Sequence, residues 1–286
     1  MLVPKTQLTP SPIVLVMTSI ASTQLGAAIA KGLFAIASPM GMVSLRVGFA
    51  ALVLLLLWRP RWRGHAARDY GLLLLFGLSL AAMNAMFYYA IARIPTGVAV
   101  ALEFSGPLAV ALIHSRQRLD MVWVGFAAAG IALLAPVEGS TLDPVGVLLA
   151  LLAGLGWGAY ILFSARVGQV FQGGDGLALA MGIGAVVLLP LGAAADGLTL
   201  LQPKLLLLGF AVSMLSSALP YSLELSALRR MPLNFFGVLL SLEPAIASLI
   251  SLLVLGEVLT LRMTAAVLLV MVAAIGVAQT QPPQAS

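Results

Sequence analysis

Two stretches decide the fold: "AIARIPTGVAVALEFSGPLAVALI", residues 90–113, and "ALRRMPLNFFGVLLSLEPAIASLI", residues 227–250. Laid over each other without a gap, Ala90, Arg93, Pro95, Pro107, Leu112 and Ile113 meet Ala227, Arg230, Pro232, Pro244, Leu249 and Ile250. Apolar text matches itself easily. A matched Arg followed by two matched prolines at equal spacing points instead to an internal repeat. Upstream, Pro12, Gly26 and Ala27 fall against Pro144, Gly158 and Ala159 after a small change of register. The chain divides into halves at 12–136 and 144–280.

The composition says what surrounds these halves. Hydrophobic residues make up 61% of the 286 and charged residues 9%, where a soluble domain carries about 25% charged. Mean hydropathy is +1.09. So few charges do not solvate a core of this size in water, so the fold class is all-α and integral to a membrane. The basic pI of about 10.0 reflects scarce acids, and the cations sit between apolar runs, which argues against nucleic acid. With no Cys, disulfides and thiol chemistry are excluded.

Apolar runs of spanning length lie near 12–35, 40–58, 70–92, 96–115, 119–136, 144–165, 176–195, 204–228, 233–255 and 263–280. That predicts ten transmembrane helices, five in each half, joined by turns as short as "ARIPT". An odd number per half makes the second repeat cross in the opposite sense, the inverted construction of secondary transporters. The first run has the lone Lys5 and small residues of a signal peptide, but its match to residues 144 onward makes it the first span. With the N-terminus inside, inner segments hold Lys5, Arg59, Arg61, Arg63, Arg68, Arg116, Arg118, Arg166, Arg229 and Arg230, and outer ones only Arg93, Lys204 and Arg262. The bias predicts both termini in the cytoplasm.

Ionisable residues within spans mark function by default. They are Lys31, Arg46, Glu103, Glu224 and Glu243; Glu257, near a span end, reads as interfacial. Prolines accompany the acids. Pro107 has no N–H, so the carbonyl of Glu103 loses its helical partner; Pro244 and Pro220 do the same to Leu240 and Ser216. Irregular backbone at membrane depth survives against protein or a watery cavity, so these prolines read as hinges beside a polar cavity. Helical spacing adds Ser217 and Tyr221 to the face of Glu224, Gln24 to that of Lys31, and His114 to that of Glu103. Asn84 and Tyr88 share a face of the third span, and Trp157 and Tyr160 supply aromatic walls. Bland readings stand beside these: Glu103 neutralising Lys31 or Arg46 as a structural pair, a structural Glu243, Trp157 and Tyr160 as packing, an interfacial His114, and Gly26/Ala30 and Gly154/Gly158 as close-packing pairs.

Enzyme readings find no support. "GLGWG" (154–158) lies in an apolar span without a phosphate-loop pattern, and Asp69, Asp120, Asp143, Asp175 and Asp196 all fall in or beside loops. Two His and no Cys are too few for a typical zinc site. No cofactor is expected.

The segments "AAIAKGLF", "GVAVALEFSGPLAVAL", "SSALPYSLELSALRRMP" and "SLEPAIASLISLLVLGEVLT" resemble the drug/metabolite transporter superfamily of EamA type, and within it the bacterial threonine/homoserine exporters. The resemblance runs from Lys31 to Glu257; the charge-free tail "TQPPQAS" departs from it by lacking a basic anchor. It implies an exporter of small hydroxylated amino acids in the cytoplasmic membrane, coupled to proton entry. Its partners would be the amino acid, protons and the lipid bilayer, with a homodimer left open. A zwitterion needs an anion for its ammonium, for which Glu103 is first choice, and a cation for its carboxylate, either Lys31 or Arg46. Glu103 or Glu224 would carry the proton, and Ser217, Tyr221 and Asn84 would face a hydroxyl. A broader drug/metabolite exporter predicts a wider, more aromatic cavity, to which 7% aromatics lend little; a lipid flippase predicts a lateral opening.

Overall fold

The computed structural model describes residues 10–114, 120–134, 142–228 and 230–280. Lys5, Arg116, Arg118 and Arg229, and the side chain of His114, lie outside what is described. Among the described residues the secondary structure is helical. The helices are α1 (Pro12–Gly32), α2 (Pro39–Trp58), α3 (Ala67–Ile91), α4 (Thr96–Glu103), α5 (Ser105–His114), α6 (Asp120–Leu134), α7 (Pro144–Val167), α8 (Asp175–Asp196), α9 (Pro203–Ser213), α10 (Leu219–Leu228), α11 (Leu233–Leu240), α12 (Glu243–Leu255) and α13 (Leu261–Thr280). Among the described residues, eight segments are long and apolar enough to cross a membrane; Thr96–Val110 and Met121–Leu134 are apolar but shorter.

Local sequence explains where helices start and stop. Four begin with proline (Pro12, Pro39, Pro144 and Pro203), where the missing N–H costs nothing and φ is already helical. In front of three of them a side chain accepts a first-turn N–H: Ser11 from Val14 at 3.3 Å, Ser38 from Gly41 at 3.1 Å and Asp143 from Val145 at 2.8 Å. Gly256, at φ 69°, closes α12 by donating its N–H to Leu252 and Ser251, a left-handed position that glycine takes without strain.

Three apolar runs read as single spans are interrupted. The run at 96–115 breaks at Phe104 between α4 and α5, that at 233–255 breaks at Ser241–Leu242 between α11 and α12, and that at 204–228 carries a π turn, Met214–Ala218, between α9 and α10. Each interruption lies just ahead of one of the marked prolines, because the carbonyls before a proline have no N–H to bind. The two broken helices also correspond. Thr96 and Glu103, the ends of α4, align with Leu233 and Leu240, the ends of α11, in the register that matches Ala90 with Ala227.

Helix α2 packs on α8, α6 on α13 and α4 on α12, while α3 packs on α7 and α1 on α10. Exchanging the halves maps the first two pairings onto themselves and the last two onto each other. Large apolar side chains such as Leu56, Leu57, Leu155, Val186 and Leu253 project outward, as lipid-facing residues do.

Connections cluster at two ends. At one, Lys31 pairs with Glu257, Arg93 with Asp143 at 2.8 Å, and Ser38 donates its N–H and hydroxyl to Asp196. Hydrogen bonds from Arg93 and then from Val145 hold the exposed Asp143 carboxyl below its ordinary range. At the other, the Arg61 N–H reaches Asp175 at 3.3 Å and His65 stacks on Phe171 at 4.2 Å. The first is the Lys31 end of the molecule and the second the Arg61 end.

Candidate functional site

Between the two ends lies a cavity of about 580 Å³, within the range of small-molecule sites. The interruptions reach its wall: Glu103 ends α4, Pro107 lies in α5, Glu243 opens α12, and Ser216 belongs to the π turn. Lining residues of α7 run from Trp157 to Ser164 and those of α13 from Ala274 to Ala278, in the last parts of helices that finish at the Arg61 end. The cavity therefore lies toward that end, and the Lys31 end is tied shut beyond it.

Among the described residues its charges are one guanidinium and three carboxylates. Arg46 is 8% exposed and Glu103 and Glu243 are 9% each. Arg46 donates from Nε to Ser217 Oγ at 3.3 Å and from Nη2 to the Ser216 carbonyl at 3.1 Å, and sits 5.4 Å from the ring centre of Tyr88. Glu224 accepts from Ser19 Oγ at 2.7 Å. Arg46 interacts electrostatically with Glu103, and Glu224 and Glu103 with Glu243. Among the described residues Glu103 has no ion-pair partner within 4.0 Å, so the neutralising pair weighed for it does not form as a direct contact.

The structure brings most of the expected residues together. Arg46, Glu103, Glu224, Glu243, Gln24, Asn84, Tyr221, Trp157 and Tyr160 line the cavity, as do Pro107 and Pro220. Ser217 and Tyr88 stand behind the wall, touching Arg46, and Pro244 lies in the first turn of α12, off the lining. Gln24 is 4% exposed, and its amide oxygen is buried without a partner, an arrangement that is costly unless a donor arrives. Asn84 donates to Leu80 at 2.8 Å.

Lys31 is not there. Its ammonium is held by Glu257 and donates to the Ile94 carbonyl at 2.8 Å, and Glu257 accepts the Thr96 N–H at 2.8 Å. Helical spacing placed Lys31 on the face of Gln24, but it lies nearly two turns further along α1, where the loop before α13 supplies a carboxylate. Glu257, read as interfacial, is its partner.

Other residues escaped the sequence reading. Ser19 and Ser22 on α1 bond Glu224 and the Leu215 carbonyl; lone serines in an apolar helix carry no signal of their own. Phe87, Phe104 and Phe236 join Trp157, Tyr160 and Tyr221 on the lining, and Trp157 meets Phe104 edge-on at 5.0 Å. The aromatics are few but concentrated here, which total composition does not convey. The glycine pairs act as expected, in packing. A Cβ on Gly154 would come 2.8 Å from the Glu103 carbonyl, and one on Gly26 would collide with Ser216.

Residues 144–279 match the model of the EamA-like transporter family. The chain is 44% identical over 252 residues to the threonine/homoserine exporter RhtA of Salmonella typhimurium and, equally, to RhtA of Escherichia coli, an alignment covering 87% of this chain and 85% of each relative. A protein of known crystal structure, 16% identical, superposes with a TM-score of 0.59 over 94% of this chain and 98% of its own, a likeness of fold alone.

Proposed function

The chain belongs to the EamA-like transporter family, and from that premise we propose that it exports small hydroxylated amino acids of the threonine and homoserine kind across a cytoplasmic membrane, in exchange for protons. The observation that carries this is the meeting of Arg46 with Glu103, Glu224 and Glu243 on one cavity. A guanidinium facing carboxylates matches a zwitterion, with Arg46 for its carboxylate and Glu103 for its ammonium. The remaining acids are available for the proton, and competition of proton and ammonium for one carboxylate gives antiport. Gln24 and Asn84 face the side-chain hydroxyl.

The architecture of this reading is ten spans in two inverted repeats. It is supported by the matched ends of α4 and α11 and by helix pairings that survive exchange of the halves. With both termini in the cytoplasm, the Lys31 end faces outward, and the described conformation is closed outside with its cavity on the inner side. Lys31 and Glu257 then act as an outer latch between the halves, and the interruptions at Pro107, Pro220 and Pro244 take up bending as access alternates.

A second reading, export of a wider range of metabolites, draws on the six aromatic rings of the lining. Proteoliposomes loaded with labelled threonine decide between the two. The proposal expects saturable efflux slowed by homoserine and untouched by planar aromatic compounds. Efflux of aromatic compounds with none of threonine would remove the amino-acid reading and leave the broader one.

A further inference from the structure

Pro220 is expected to be a hinge, yet its surroundings show a more definite use. The π turn ahead of it shifts the hydrogen-bond ladder by one residue: the Leu219 N–H binds the Met214 carbonyl, five residues back. The next carbonyls, Leu215 in π register and Ser216 in α register, would both look to residue 220, which has no N–H. Each finds a donor on another helix. Ser22 Oγ binds the Leu215 carbonyl at 2.7 Å, and Arg46 Nη2 binds the Ser216 carbonyl at 3.1 Å. Arg46 Nε, on the same edge of the guanidinium, binds Ser217 Oγ at 3.3 Å. One fork of Arg46 is spent on the π turn, and the opposite fork, which ends in Nη1, makes no hydrogen bond among the described residues while Arg46 lines the cavity.

We propose that Pro220 is a positioning residue for the carboxylate site: by withholding an N–H it reserves the Ser216 carbonyl for Arg46, which is thereby held with its free fork toward the bound carboxylate. Bidentate binding of a carboxylate demands a fixed plane. The Tyr88 ring and the Ser216 and Ser217 acceptors fix it, and Gly26 leaves α1 close enough for the π turn to reach across. The inference rests on the reading of the cavity as an amino-acid site.

In Pro220→Ala the restored N–H at position 220 claims the Ser216 carbonyl, and Arg46 loses that anchor. The experiment is counterflow in proteoliposomes, comparing labelled threonine with inhibition by threoninamide, which keeps the ammonium and hydroxyl but lacks the carboxylate. The expected result for Pro220→Ala is a KM for threonine raised roughly tenfold or more, with threoninamide inhibition unchanged. Ser217→Ala, which leaves the backbone alone, moves KM the same way by less, and serves if Pro220→Ala does not insert. An unchanged threonine KM in an inserted variant overturns the proposal, and so does an equal loss for threonine and threoninamide, the pattern of general damage. Absence of threonine exchange by the unmodified protein removes the premise instead.

Discussion

Glu103 stands at the meeting point of a broken helix, a glycine seam and the cavity, 9% exposed and without a direct cationic partner among the described residues. A buried carboxylate left so open to a ligand is poised to exchange one positive partner for another. The account expects Glu103→Gln to insert normally but to lose the drive that a pH gradient gives to threonine movement, measured as uphill uptake in proteoliposomes; an unaltered drive would clear Glu103 of the coupling role. Gln24, with its orphaned amide oxygen, should matter to the hydroxyl. Gln24→Leu is expected to narrow the preference for threonine over the isosteric valine in competition assays. Most of this site was readable at the residue scale, because a charge in apolar text announces itself. The depth of a charge was readable; its partner was not. Lys31 shared a helical face with Gln24, but Glu257 lies far along the chain and only the fold puts them together.

The elements explain what the broken helices do. Pro107 frees the Glu103 carbonyl, which turns toward Gly154 on α7 at a distance only a glycine tolerates. A Cβ there meets backbone, so Gly154→Val is expected to destabilise the protein by about 1–3 kcal/mol, read as an earlier thermal transition in detergent. The Lys31–Glu257 latch joins the end of α1 to the loop before α13 and holds the first N–H of α4. Removing one member strands the other in a mostly buried place, at roughly 3–5 kcal/mol. Lys31→Ala and Glu257→Ala should each slow exchange, and the swapped pair Lys31→Glu with Glu257→Lys should recover part of it; independent, additive losses would contradict a latch. The proline positions foretold that interruptions exist. Their kind depended on neighbours: a π turn forms ahead of Pro220 where Ser22 and Arg46 donate hydrogen bonds to the stray carbonyls, while the runs at Pro107 and Pro244 break outright.

At the scale of the whole molecule, the proposed repeat rests on a backbone device, proline at fixed spacing, and draws support from the corresponding ends of α4 and α11. Membership of the transporter family followed from the same motifs. The packing of α2 on α8 and of α1 on α10 was not legible, since apolar helices carry no address for their neighbours. Orientation is directly checkable, because the chain has no cysteine of its own. Single cysteines at Arg63, at the Arg61 end, and at Leu198, 82% exposed beyond α8, should respond oppositely to an impermeant maleimide: Leu198→Cys labelled in intact cells, Arg63→Cys only after permeabilisation. The reverse pattern would turn the molecule over.

Proton-linked exchange of a small hydroxylated amino acid is read without intermediaries by counterflow. Proteoliposomes are preloaded with unlabelled threonine, given labelled threonine outside, and followed with and without a pH gradient. Saturable uptake of label by exchange is expected, driven above equilibrium when the gradient is imposed. Well-inserted protein that exchanges no threonine or homoserine, or exchanges them with no response to the gradient, would contradict it.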